Sequence, residues 1–202
     1  YIHNVLKKDY IYLTDFYNEF VNSNLLPKSK SGMKYTYAFW LYFNNLGENS
    51  TWKNNFKYKR PILYRYGAPN VYYLPKTHEL QIDITYKNII DLKDVYSFEL
   101  KDLPIQKWFH VALVQDGVNY DVYYNGELHS STMLPNVPIV SNKFLYLGSK
   151  NNNFNGYLYH LEYANINLQK NAIRKLYNSS KKNLPSNLMS YSEFFDKFYK
   201  KD

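Results

Sequence analysis

Double-displacement cleavage of a glycosidic bond needs two carboxyl groups about 5 Å apart. The nearest carboxylate pairs in this chain are Glu79 with Asp83, Asp91 with Asp94, and Glu99 with Asp102. Asp94 and Glu99 bracket one predicted strand, and their odd spacing puts them on opposite faces. Most of these acids fall in turns or on solvent faces. His3, His78, His110, His129 and His160 are far apart and form no His-x-His or i, i+4 pair, so no metal site is expected. Asp116, Asp121 and Asn125 are the only oxygens near a rim that calcium could use. Turn roles account for Asp116 and Asn125, and calcium is not expected. Cysteine is absent, no Gly-x-Ser-x-Gly elbow occurs, and the seven glycines form no phosphate-cradling loop. Catalysis and cofactors are therefore not expected.

The remaining chemistry is recognition. Aromatic residues make up 19% of the chain, 24 of them Tyr. Tyr and Trp present a flat apolar ring with a polar tip, which suits interfaces and sugar faces. Strand tyrosines are better read as core, because Tyr has high strand propensity. Loop positions are the better ligand candidates. Trp52 stands beside Lys53 and Asn54, Tyr72 and Tyr73 precede Pro75-Lys76-Thr77-His78, and Asn151, Asn152 and Asn153 form an amide-rich loop. The candidate ligand-binding residues are Trp52, Tyr72, Tyr73, His78, Asn151 and Asn153. Asn49-Ser50-Thr51 and Asn178-Ser179-Ser180 are sequons of the kind an Asn-rich chain carries by chance.

The elements that must position these residues are mostly strands. Trp108, His110, Ala112 and Val114 alternate with Phe109, Val111, Leu113 and Gln115, the period of a strand. Asp116-Gly117 and Asn125-Gly126 supply turns, so strands before, between and after them form an antiparallel run. Strands are expected at 34–43, 61–66, 70–74, 79–86, 95–100, 107–115, 119–124, 143–148 and 156–164. Leu80, Ile82 and Ile84 should point inward, and Gln81, Asp83 and Thr85 outward. Strand 35–43 is apolar on both faces, so a terminal extension should cover its second face. Residues 1–32 form an N-terminal arm. Its 9–20 segment has a loose helical spacing and is equally compatible with a strand. Helices are expected at 168–178 and 190–201, the second opened by a Ser190/Glu193 capping box. Strand-rich chains with turns every ~8–12 residues are sandwiches or barrels.

The segment Trp-x-His-Val-Ala-x-Val at 108–114, followed by Val-Tyr-x-Asn-Gly-x-Leu at 122–128, is similar to the core of laminin-G-like domains. These are concanavalin A-like jelly rolls. Tyr35–Leu41, Pro61–Gly67, Pro69–Leu74, Phe144–Gly148, Phe154–Leu158 and Ile173–Tyr177 continue the match in order. The resemblance covers residues 33–180. It implies an all-β antiparallel sandwich with short terminal helices, flanked by the arm at 1–32 and a helical extension at 181–202. The Pro-x-Val-Tyr-Tyr-Leu-Pro and Leu-Pro-Ile-Gln-Lys-Trp segments look most like such domains in structural proteins of large DNA viruses. A more distant likeness is to the jelly-roll half of the clostridial neurotoxin binding region. Retaining hydrolases of this fold carry Glu-x-Asp-x-x-Glu or Glu-x-Asp-x-Glu on one strand, and neither pattern occurs here.

Composition narrows the partners. The 202 residues are 45% hydrophobic, enough for the core of one sandwich. The net charge is +8, but Arg60, Arg65 and Arg174 are the only arginines. Nucleic-acid readers rely on Arg forks, so scattered lysines read as a solubilising surface and no nucleic acid is expected. No apolar run reaches the ~20 residues of a bilayer span, and no signal peptide is visible. The chain begins at Tyr1, which reads as a processed or trimmed piece and leaves an earlier anchor open. The expectation is a non-enzymatic virion-associated or extracellular module, contacting other structural proteins or host-surface glycans. The alternatives are a toxin-like receptor-binding module and, last, a glycan hydrolase.

Overall fold

A computed structural model describes residues 2–8, 11–13, 19–30, 33–44, 59–88, 90, 92–140, 142–149 and 156–185. The strands are His3–Lys7 (β1), Ile11–Leu13 (β2), Glu19–Val21 (β3), Lys34–Phe43 (β4), Arg60–Tyr64 (β5), Asn70–Leu74 (β6), Glu79–Lys87 (β7), Lys93–Leu100 (β8), Trp108–Asp116 (β9), Asn119–Tyr124 (β10), Glu127–Met133 (β11), Leu145–Leu147 (β12) and Gly156–Ala164 (β13). One helix, Lys170–Lys181 (α1), follows them.

Two antiparallel sheets face each other. The first runs β1-β13-β4-β9-β10-β11, with β2 also pairing β13; the second runs β3-β12-β5-β6-β7-β8. The expected sandwich is thus the observed architecture. Within the 9–20 segment the described residues are extended, at β2 and the start of β3, and the strands β1 to β3 join both sheets. The 190–201 helix expected from sequence lies outside the described residues.

The core between the sheets follows the two-residue period. Tyr35, Tyr37, Phe39, Leu41 and Phe43 of β4 meet Leu80, Ile82 and Ile84 of β7 in one buried cluster. Their neighbours Gln81, Asp83 and Thr85 point the other way, as expected. Asp83 is nonetheless buried, because Lys59, Gln81 and Ser97 close over its carboxylate. Arg65 is also buried. Its guanidinium donates to the Tyr37 hydroxyl at 2.8 Å and to the Leu26 carbonyl at 3.2 Å, tying the segment before β4 to the core.

The second face of β4 is covered by α1. Ala38, Ala112, Val114 and Tyr123 pack with Ile173, flanked by Leu168 and Leu176. Ile173, Leu176, Tyr177 and Ser180 recur at i, i+3, i+4 and i+7, the stripe that a helix lays on a sheet. Tyr177 stacks on Trp40 at 5.3 Å, and Glu127 pins the helix from β11 through Arg174 at 3.0 Å and Lys170 at 3.4 Å.

Candidate functional site

The first sheet's outer face carries a recess beside the start of α1. Its floor is set by strand register. Val114, Asp121 and Ser131 stand directly opposite one another across β9, β10 and β11, so all three share this face. Asn119 and Tyr123 flank Asp121 at two-residue spacing and point the same way. The wall is the 167–169 segment, held down where the Thr36 hydroxyl donates to the Ile166 carbonyl at 2.8 Å and accepts from the Leu168 N–H at 2.9 Å. The recess encloses about 290 Å³.

Its hydrogen-bonding groups are of both kinds. The Asn167 amide donates to one oxygen of Asp116 at 2.7 Å, while Lys34 approaches the other at 3.1 Å. Ser131 donates to Asp121 at 2.5 Å. Gln169, which precedes α1 without capping it by its side chain, also lines the recess. Tyr123, 4% exposed, supplies an aromatic surface beneath these groups. Burial, then the nearby Asp121 charge, raises its hydroxyl pKa. Carboxylates that accept, amides that donate and accept, and a ring edge match a small hydroxyl-rich molecule.

From sequence, Asp116 is a turn residue, and Asp116 and Asp121 are rim oxygens at which calcium is not expected. Among the described residues no cluster of three or more His, Cys, Asp or Glu groups could hold a metal. Ser131 reaches Asp121 through the β10–β11 register, and Asn167 reaches Asp116 from the segment that follows β13.

Of the ligand candidates read from sequence, Tyr73 and His78 meet in the structure and Tyr72 takes another face. Tyr73 is 1% exposed, packs on Phe43 at 4.7 Å and shares a hydrogen bond with His78 Nδ1 at 2.8 Å. The other His78 ring nitrogen lies 3.1 Å from the Leu103 carbonyl. Burial pushes the Tyr73 hydroxyl up to about 12. Tyr72 takes the opposite face of β6, half-buried, with the Lys59 ammonium 5.3 Å from its ring. Its hydroxyl is also pushed up to about 12, by burial and then by the Asp83 charge. Trp52, Asn151 and Asn153 lie outside the described residues.

Of the acids paired by spacing, Glu79, Asp83 and Glu99 sit in ion pairs with lysines. Lys101 reaches Glu99 at 3.4 Å and Glu79 at 3.9 Å. The histidines gather in a way their spacing did not show. Glu162, buried on β13, is bonded by His3 at 2.6 Å and by His160 at 2.9 Å. His160 reaches Glu162 from a positive φ of 50° at a register shift in β13. Burial alone would raise the Glu162 pKa, but the bonds and charges of His160 and His3 bring it below the usual carboxylate range.

Two facing antiparallel sheets in this order, backed by one short helix, make a concanavalin A-like jelly roll. The chain belongs to the concanavalin A-like lectin/glucanases superfamily, whose laminin-G model matches residues 13–174. Its solved neighbours include the receptor-binding domain of botulinum neurotoxin C/D mosaic serotype, with a TM-score of 0.63 and 15% identity over 85% of this chain and 42% of that one. The botulinum neurotoxin serotype G binding domain gives 0.61 and 16% over 88% and 46%. The binding domain of botulinum neurotoxin DC, solved with rat synaptotagmin II, gives 0.56 and 15% over 81% and 39%. At such identities the likeness is one of fold. The chain spans less than half the length of these neighbours. They are toxin receptor-binding domains rather than the structural proteins of large DNA viruses that the sequence segments suggested. No curated protein sequence matches the chain.

Proposed function

We propose that this chain is an extracellular, non-enzymatic recognition module that binds a hydroxyl-rich ligand, a glycan, in the recess beside α1. The observation that carries the reading is the recess itself: Asp121 and Ser131 on the floor, Asn167 and Gln169 on the wall, and Tyr123 beneath. Sugars are held by such combinations of planar acceptors, amides and an aromatic ring. The fold's neighbours favour a toxin-like receptor-binding module over a virion-associated one. Hydrolysis has the least support, since Glu79, Glu99 and Glu127 sit in ion pairs with lysine or arginine. No helix among the described residues is long and apolar enough to cross a membrane.

A glycan array probed with the wild-type chain and with Asp121→Ala tests the reading. Binding to a defined glycan set, weakened about tenfold or more by Asp121→Ala, is expected for loss of a charged hydrogen-bond partner. Failure of the wild-type chain to bind any glycan removes the lectin reading. Trp52→Ala and Tyr72→Ala on the same array show whether the ligand also reaches those residues.

A further inference from the structure

The end of the second sheet where β7 turns into β8 carries apolar side chains in full view of solvent. Ile90 is 71% exposed and Leu92 58%. Asn88 braces both residues. The Asn88 N–H donates to the Leu92 carbonyl at 2.8 Å, and the Asn88 side-chain oxygen accepts from the N–H groups of Ile90 and Leu92 at 3.1 and 3.0 Å. Val137, 43% exposed, reaches the same end of the sheet, because the next residue, Pro138, bridges to Tyr86.

Cations surround this tip. Lys87 and Lys93 stand directly opposite each other across the hairpin, a like-charge pairing that costs stability in an antiparallel ladder. The Lys93 ammonium hydrogen-bonds the exposed Tyr66 hydroxyl, and Lys143 lies 5.5 Å from the Tyr66 ring on a neighbouring loop. The acids of the hairpin are Asp91, outside the described residues, and Asp94, which is occupied by the Tyr86 hydroxyl and the Val95 N–H. The exposed aliphatics gain nothing from the isolated fold, and ammonium groups stand around them, so the arrangement points to a surface that is both apolar and anionic.

We propose that this β7–β8 tip docks on an anionic lipid bilayer, with Ile90 and Leu92 entering the headgroup–acyl boundary and Lys87, Lys93 and Lys143 meeting lipid charge. Lysine stems lie along apolar surface while their ammonium groups remain at the polar level, and tyrosine favours the same interface. A protruding tip of two aliphatic side chains is too small for a stable protein contact, which buries about 800 Å² per partner. The same tip suits reversible membrane binding, which grows with inserted apolar area and with attraction to anionic lipid. The tip and the recess beside α1 belong to different sheets, so the two proposals fail independently.

Co-sedimentation of the full chain with vesicles of phosphatidylcholine, or of phosphatidylcholine mixed with phosphatidylserine, tests it. The wild-type chain should pellet with the mixed vesicles. The double variant Ile90→Ser, Leu92→Ser should lower partitioning about tenfold or more. Lys93→Glu with Lys143→Glu should abolish the preference for phosphatidylserine, while Asp121→Ala should pellet as wild type. Thermal melting confirms that each variant is folded; all four tip positions are exposed. The proposal is overturned if the wild-type chain stays in the supernatant with mixed vesicles, or if the Ile90/Leu92 variant pellets unchanged. Self-association lost in that variant, without vesicle binding, also overturns it and makes the tip a protein contact.

Discussion

The Trp40 indole N–H donates to the Ser180 hydroxyl at 2.9 Å, joining the middle of β4 to the last turn of α1 across 140 residues of sequence. Ser180 in turn donates to the Leu176 carbonyl at 2.7 Å. Both side chains are buried, so each group depends on the other. This bond and the Tyr177 stack on Trp40 hold the helix over the first sheet, and α1 begins at the wall of the recess.

Ser180→Ala should therefore destabilise the chain by about 1–3 kcal/mol, because it leaves a buried indole donor unsatisfied. Urea denaturation followed by tryptophan fluorescence measures the loss. Stability equal to wild type would show that the bond does not anchor the helix.

The turn glycines should separate by what surrounds them. Gly117 has φ of 62° with open space around its missing Cβ, whereas Gly126 has φ of 82° and a Cβ there would come within 3.0 Å of the Tyr177 ring. Gly117→Ala should cost about 1–2 kcal/mol from left-handed backbone strain alone. Gly126→Ala should cost more, because it also pushes on Tyr177. Thermal melts of the two variants rank them, and equal melting temperatures would contradict the contact.

Acid should weaken the fold through His110. Burial lowers its pKa to about 4; the Glu162 charge acts in the opposite direction and His160 acts with burial. The unfolded chain takes up this proton near the ordinary ~6.5. The folded pKa is depressed, so the contribution is fully present above about 6.5 and is lost as pH falls toward about 4. Glu162, held below its usual range, adds to the loss at the acid end. Urea midpoints measured from pH 7.5 to 4 should decline, and His110→Gln should flatten the part of the curve above pH 5. An unchanged slope in that variant would assign the acid sensitivity elsewhere.

Arg65→Lys should cost about 2–3 kcal/mol, since one compact ammonium cannot serve both the Tyr37 hydroxyl and the Leu26 carbonyl. Denaturant titration reads the change. A neutral result would mean that neither bond matters to stability.

Much of the fold is legible from local pattern. Alternation at 108–115 and 79–86 marks strands because side chains in a strand point to opposite faces whatever the sheet's partners are. Asn125-Gly126 marks a turn because its residues tolerate the positive φ values of 50° and 82° found there. Even the two-sided apolarity of β4 shows that something must cover its outer face. Local pattern is weaker at the edges. β11 is exposed or half-buried throughout, so its Glu-Leu-His-Ser-Ser-Thr-Met sequence has no buried face to reveal it beyond the turn that precedes it.

Tertiary structure decided which side chains meet. Asp121 and Ser131 become partners because one hairpin register sets them opposite, and Asn167 reaches Asp116 only when the chain returns from β13. His3 and His160 converge on Glu162 through the β1–β13 pairing, although 157 positions separate the two histidines in sequence. Tyr72 and Tyr73, equivalent in sequence, part into a surface ring and a core ring by strand alternation. Short-range sterics and burial write the elements into the sequence, whereas contacts between distant elements depend on the register of the whole sandwich. The recess floor is a product of that register, which sets Asp121 opposite both Val114 and Ser131.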